Sequence, residues 1–201
     1  MQTLLVAIAA YALGSVSFAV LVSRLLRLPD PRSYGSGNPG ATNVLRSGSK
    51  LAAALTLIGD TAKGALAVGL AALYTGESTV TGYDPPIAGA MALLGHAYPV
   101  FHAFRGGKGV ATAAGVLLAL HPLLGLGALA TFGVILAFFR MASLASMISA
   151  VFAVFWAWVL FRLAPVTLVV AAIALLVIWR HRDNIVRIVR GIEPRLGAKK
   201  K

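Results

Sequence analysis

The sequence predicts an all-α membrane protein, a polytopic helix bundle of about seven transmembrane helices. Three observations predict it. Of the 201 residues, 59% are hydrophobic, and the mean hydropathy is +0.85. Charged residues make up 12% of the chain, where a soluble domain carries about a quarter. One soluble core of this size could not hide so much apolar surface. The apolar residues also fall in long runs, several close to the ~20 residues that one crossing needs. The chain reads as a single domain, residues 1–201.

The first run, residues 3–22, is long enough to cross. A polar segment follows, with Arg24, Arg27, Arg32, Arg46 and Lys50 against Asp30 alone. The second span covers 51–74 and is interrupted by Asp60 and Lys63. A short loop with Glu77 and Asp84 leads to a short third span, 86–101, whose polar end holds His96 and Pro99. The run 110–139 is too long for one crossing, and the proline of His121-Pro122 interrupts helical hydrogen bonding near its middle. It is therefore read as spans four and five, closed by Arg140. Spans six and seven cover 145–160 and 165–179. A basic tail runs to Lys199-Lys200-Lys201, which is expected to meet anionic lipid headgroups.

Charge orients this bundle. With the N-terminus outside, the segments 23–50, 102–109, 140–144 and 180–201 are all cytoplasmic. Of 18 Lys and Arg, Arg162 alone then lies in an external loop and Lys63 within a span, as the positive-inside rule requires. A five-span arrangement would place both ends on the same sides. The net charge of +12 would suggest nucleic acid in a soluble protein. Here the aromatics sit in the apolar runs and not among the basic residues, so the expected partner is the lipid bilayer and not nucleic acid. The absence of cysteine excludes disulfide and thiolate chemistry. No basic region precedes the first run, so no cleavable signal peptide is expected.

Three polar clusters fall on the predicted cytoplasmic side. The first runs Gly-Ser-Gly-Asn-Pro-Gly-Ala-Thr-Asn-Val-Leu-Arg from Gly35 to Arg46. Gly35, Gly37 and Gly40 match G-x-G-x-x-G in form, but the flanks are membrane spans and no βαβ unit is present, which rejects a dinucleotide site. Glycines let backbone N–H groups approach an anion, and Ser36, Asn38, Thr42, Asn43 and Arg46 add phosphate and hydroxyl partners. The plainer reading is a flexible connector. The second cluster, Arg105-Gly106-Gly107-Lys108-Gly109, is not a Walker motif: His102 stands where glycine is needed and Gly109 where serine or threonine is. It reads as a helix N-terminus bearing a lysine, hence an anion site, or else as a loop that sets topology. The third is Arg180-His181-Arg182-Asp183-Asn184 with Arg187, Arg190, Gly191 and Glu193. As one helix it puts Arg180, Asn184 and Arg187 on one side; the plainer reading is an amphipathic tail at the lipid surface.

The remaining chemistry is mostly negative. None of His96, His102, His121 and His181 begins a His-x4-Asp acyltransferase dyad. No metal-ligand spacing is present, so neither metal nor cofactor is expected. Ser143 and Ser146 share a helix face without an adjacent base, suited to helix packing or to a substrate hydrogen bond. Asp60 and Lys63, one turn apart, form either a structural ion pair or a feature of the active site. Three anion-binding clusters without a nucleophile suggest an enzyme that positions phosphorylated substrates.

These residues resemble a known family. Gly35 to Arg46 is similar to the first motif of the bacterial acyl-phosphate:glycerol-3-phosphate acyltransferases, the PlsY family. Gly95-His96, Pro99-Val100-Phe101, Phe104 and Gly106-Gly107-Lys108-Gly109-Val110-Ala111-Thr112 resemble its second motif. His181-Arg182, Asn184-Ile185, Arg187, Gly191 and Glu193 resemble its third. Departures are small, with Arg105 and Arg195 where lysine is common and Ile188 where leucine is. The resemblance implies a seven-helix enzyme of the bacterial inner membrane with its active site on the cytoplasmic face. It implies acyl transfer from acyl-phosphate to the 1-hydroxyl of sn-glycerol 3-phosphate, giving lysophosphatidic acid and phosphate. By position, Ser36, Arg46, Lys108 and Asn184 would be catalytic, and Gly37, Asn38, Asn43, Gly107, Ser143, Ser146, His181, Arg187 and Glu193 would bind substrate. The enzyme that produces acyl-phosphate is an implied partner. The chief alternative is a transporter of a small organic phosphate, which would need binding groups near the midplane. A membrane scaffold with lipid-binding basic loops would explain the charge but not the glycine loop.

Overall fold

Small residues decide how these helices pack. A computed structural model describes residues 1–197; the expected lipid contact of Lys199-Lys200-Lys201 lies outside the described residues. Among the described residues all regular structure is helical. The long helices are α1 (Gln2–Gly14), α2 (Phe18–Leu25), α4 (Lys50–Thr75), α5 (Asp84–Ala97), α6 (Val110–Leu120), α7 (Pro122–Phe139), α8 (Ala142–Phe161), α9 (Pro165–Arg180) and α10 (Arg182–Val189), with a single turn, α3 (Ala41–Val44), in the glycine loop. Local chemistry fixes their ends. The Ser49 hydroxyl accepts the Ala52 N–H at 3.1 Å to open α4, and Gly76 closes it at φ 71°. Pro122 and Pro165 open α7 and α9, where the missing N–H costs nothing.

In lipid, helices gain no hydrophobic stabilisation by meeting each other, so close backbone packing has to supply the association. A Cβ on Gly14 would overlap the Ala92 carbonyl, and one on Gly95 would overlap the Tyr11 carbonyl, which locks α1 antiparallel against α5. Gly64 and Gly115 do the same between α4 and α6, against the carbonyls of Thr112 and Thr61. Val68, Leu93, Val116, Leu120, Leu124, Val166 and Val170 are buried between α4 and α9 as the core. Large apolar side chains such as Leu51, Leu66, Leu73, Phe138 and Leu175 face outward, where lipid can take them.

The loops gather at two ends. At one end the glycine loop, the Gly106–Gly109 turn, the α7–α8 turn and the α10 tail meet. At the other, Thr79 donates to the Leu120 carbonyl at 2.8 Å and the His121 ring stacks edge-on against Phe161 at 5.1 Å. All Lys and Arg among the described residues lie at the first end except Lys63 and Arg162.

Two features go beyond the spans read from the sequence. The first span is not one helix. It breaks at Ser15–Ser17, where Ser15 turns its hydroxyl back onto the Tyr11 carbonyl at 2.9 Å. The Val16 carbonyl left over is taken by the Lys63 ammonium at 2.6 Å, and Lys63 pairs with Asp60 at 2.9 Å. Length is the second. Four stretches, Gln2–Leu25, Lys50–Thr75, Pro122–Phe139 and Ala142–Phe161, are long and apolar enough to cross, and a fifth is if α9 and α10 count as one bent span. Helices α5 and α6, with 14 and 11 residues, fall short of the ~20 that a perpendicular crossing needs. The break at His121 that divides 110–139 is observed.

The α4–α6 contact gives a direct test. Gly115→Val forces a side chain into the Thr61 backbone and should cost about 1–3 kcal/mol. That lowers the melting midpoint in detergent by about 2–10 °C, measured by scanning fluorimetry, whereas Gly133→Val, at a glycine with nothing within 4 Å, should leave it unchanged.

Candidate active site

Four loops build one polar site. In the glycine loop, Gly35 and Gly37 take left-handed φ of 62° and 66°, which other residues resist. Asn43, buried in α3, holds the loop shut. Its Oδ1 accepts the Ser36 N–H at 3.0 Å, and its Nδ2 donates to the carbonyls of Pro31 at 2.7 Å and Tyr34 at 3.1 Å. The Asn43 amide is thus spent inside the loop, and its effect on a ligand runs through the placing of Ser36. Ser36, Gly37 and Arg46 are exposed, and Asn38 is half-buried. The side chains of Ser36, Asn38 and Arg46 make no hydrogen bond among the described residues.

The second loop packs under the first. Gly106 and Gly107 are buried, and a Cβ on Gly107 would come within 3.0 Å of the Pro39 carbonyl. Gly109, at φ 79°, starts α6. A polar cleft of about 260 Å³ opens between the two loops, lined by Arg32, Gly37, Pro39, Arg105 and Gly106. A larger hollow of about 320 Å³ against Val151, Phe152 and Phe155 on α8 is apolar and carries no group that could do chemistry.

The third loop departs from expectation. Helix α9 ends at Arg180 and the chain bends by 58° into α10, so Arg180, Asn184 and Arg187 do not share one helix face. Arg180 turns instead to the second loop. Its Nε donates to the Gly107 carbonyl at 3.1 Å and its Nη2 to the Gly106 carbonyl at 2.9 Å, with the guanidinium 5.1 Å over the Tyr98 ring. Sequence reasoning did not assign Arg180 this clamp. The carbonyls it takes lie 73 and 74 residues away in the chain, so no local signal pointed to the contact.

Lys108, Asn184, Ser143, Arg187 and Glu193 are brought together. Lys108 Nζ donates to Asn184 Oδ1. Asn184 Nδ2 and Ser143 Oγ each donate to Glu193 Oε1 at 2.6 Å, and Arg187 Nε donates to Glu193 Oε2 at 2.8 Å. The tail is held here by the Leu196 N–H, which donates to the Arg140 carbonyl at 2.7 Å. Ser146 is buried one turn along α8, but its hydroxyl donates to the Ala142 carbonyl of its own helix at 2.7 Å.

Electrostatics divide the labour. Burial pushes the Glu193 carboxyl up, but its three donors outweigh burial and hold it below the ordinary range, so it stays ionised. Burial pulls the Lys108 ammonium from 10.5 to about 8, helped by the Arg187 and Arg180 cations and opposed by Glu193 and Asp183. His181 falls to about 4, mainly through burial, with the Lys108 and Arg180 cations adding to it. A carbonyl can only accept, so His181 Nδ1 donates to Val177 O at 2.8 Å, and Nε2 remains a neutral acceptor.

This architecture defines a class: a polytopic membrane bundle carrying a cationic site of glycine loops at one end. The glycerol-3-phosphate acyltransferase family model matches residues 4–191. A glycerol-3-phosphate acyltransferase of Ralstonia nicotianae is 57% identical over 199 residues, covering 99% of this chain and 96% of that protein. One of Cupriavidus taiwanensis is 54% identical over the full length of both. Two crystal structures of PlsY, an integral membrane glycerol 3-phosphate acyltransferase, superpose with TM-scores of 0.91 and 0.90. One is its glycerol 3-phosphate form and the other its lysophosphatidic acid form; each is 36% identical and covers 98% of this chain and 96% of its own. The chain belongs to the glycerol-3-phosphate acyltransferase family.

A ligand that needs the Lys108 cation will lose it as pH rises. Below about pH 8 the ammonium is charged and above it is not, so kcat/KM should fall about tenfold per pH unit on the alkaline side. Lys108→Arg, charged throughout, should abolish that limb whatever its absolute rate. A profile flat to pH 10 in the native enzyme would refute the role.

Proposed function

We propose that this protein transfers a fatty acyl group from acyl-phosphate to the 1-hydroxyl of sn-glycerol 3-phosphate, releasing phosphate and lysophosphatidic acid. The observation that carries the reading is the joining of Lys108 to Asn184 and Glu193, with the glycine loop packed on Gly107 beside them. The single carboxylate of that network is occupied by Ser143, Asn184 and Arg187, which leaves Lys108 without a carboxylate partner and able to meet an anion.

The chemistry suits such a site. Acyl-phosphate is a mixed anhydride with a good leaving group, so no activated side-chain nucleophile is required. The glycerol hydroxyl attacks the carbonyl carbon, the new ester C–O bond forms, and the anhydride C–O bond breaks to release phosphate. Arg46 and Lys108 hold the two phosphates and offset their repulsion. The exposed Ser36 hydroxyl polarises the carbonyl or holds the leaving phosphate, while the Ser36 and Gly37 N–H groups are spent on Asn43 Oδ1 and the Tyr34 carbonyl and keep the loop in shape. Asn184, Ser143, Arg187 and Glu193 fix Lys108, Gly107 lets the backbone approach, and Ser146 and His181 offer contacts to the glycerol. A histidine of pKa about 4 is a poor base. The attacking proton therefore goes to a substrate phosphate.

The bundle is read as seven crossings, with α5, α6 and α9 tilted or assisted by local thinning of the bilayer. Positive charge at the site end supports a cytoplasmic location for that end and an external N-terminus, in the bacterial inner membrane. Acyl-phosphate then reaches the site from the membrane face, supplied by the enzyme that makes it.

Purified protein in detergent should release phosphate when acyl-phosphate and glycerol 3-phosphate are both present. Uptake of glycerol 3-phosphate into vesicles without phosphate release would instead favour transport. Arg46→Ala should cut turnover by at least about 100-fold, and Lys108→Ala should act chiefly by raising KM; near-normal kinetics in both variants would sink the assignment.

A further inference from the structure

Beneath the Lys108 loop lie ionisable groups that phosphate binding does not use. Asp60 and Lys63 on α4 and His96 on α5 are all buried. Lys63 Nζ lies 2.9 Å from Asp60 Oδ1 and donates to the Val16 carbonyl. His96 Nδ1 lies 3.5 Å from the same carboxylate oxygen. The opposite edge of the imidazole meets the loop: a Cβ on Gly107 would overlap His96 Nε2, and the Gly107 N–H donates to the His96 carbonyl at 3.1 Å. Arg180 takes the carbonyls of Gly106 and Gly107 from its own side. The dipeptide before Lys108 is therefore clamped between Arg180 and His96.

We propose that His96, oriented by Asp60, is a positioning residue for the Lys108 loop. Two adjacent glycines would otherwise let the lysine wander, since glycine has the widest backbone freedom. A misplacement of about 1 Å at a binding group can cost ~100-fold. The ring occupies the space that Gly107 leaves, and the carboxylate, 3.5 Å from Nδ1 without a hydrogen bond, biases by its charge which edge of the ring faces it. Lys63 holds that carboxylate against the broken α1–α2 junction, so the chain of contacts ends on backbone. If filling space were the whole role, an apolar side chain would do it without three ionisable groups at this depth.

The inference rests on the reading that Lys108 holds a substrate phosphate, so Lys108→Ala is measured beside the test variants. In purified enzyme with acyl-phosphate and glycerol 3-phosphate, His96→Ala should raise KM for at least one substrate by about tenfold, with kcat held within about threefold. Its alkaline limb should also move up from about pH 8, because a loosened Lys108 regains water. His96→Gln, whose amide can reach the place of Nε2, should recover most of the KM. A merely structural role would lower the melting midpoint and the active fraction but leave KM and the limb in place. Should His96→Ala not fold, Asp60→Asn/Lys63→Met removes the anchoring charges together and is read in the same way. Unchanged KM for both substrates together with an unmoved limb, in a folded variant of either kind, overturns the proposal. Normal KM values in Lys108→Ala would overturn the phosphate reading beneath it.

Discussion

A membrane interior offers no water to a stranded polar group, and that constraint governs this fold. Each backbone carbonyl freed by a helix break has to find a donor from another helix. The break at Ser15–Ser17 frees Val16, and Lys63 reaches across from α4 to meet it. The lysine in turn requires an anion, which Asp60 supplies one turn away. Those contacts pin α1, α2 and α4 together, and the glycine seams on α1, α4, α5 and α6 then set the distances between the helices.

The site end reverses the balance. Cations outnumber carboxylates there, and the carboxylate at its centre, Glu193, is shared by three donors. An ionised carboxylate left free beside Lys108 would compete with any phosphate. Tied to Ser143, Asn184 and Arg187, it holds the network in shape without claiming the lysine directly. Partial burial of Lys108 strengthens its pull on an anion, and it also brings its charge within reach of ordinary pH.

Much of this was legible because it follows from composition and short spacing. Arg46, Lys108 and Asn184 stand out as polar groups bounding apolar runs, and glycine clusters mark where backbone must approach something. The break at His121 was legible because proline forbids the helix hydrogen bond there. The break at Ser15 was not: serine and valine tolerate a membrane helix, and the partner that makes the break stable sits 47 residues away. The bend at His181 was also hidden, so Arg180 was placed on the wrong face. The type of Asn43 suits a ligand contact and does not announce that its amide also closes the loop.

By itself, then, the sequence determined the class of protein, the two-ended distribution of charge and the three polar clusters. These depend on hydropathy, charge and local backbone chemistry, which are properties of a residue and its near neighbours. Tertiary structure alone decided that the clusters converge, that Glu193 joins α8 to α10, and that His96 lies under Gly107. Such contacts depend on the rotation and depth of helices distant in sequence, and those are set by backbone-to-backbone packing at glycine seams that no single segment contains.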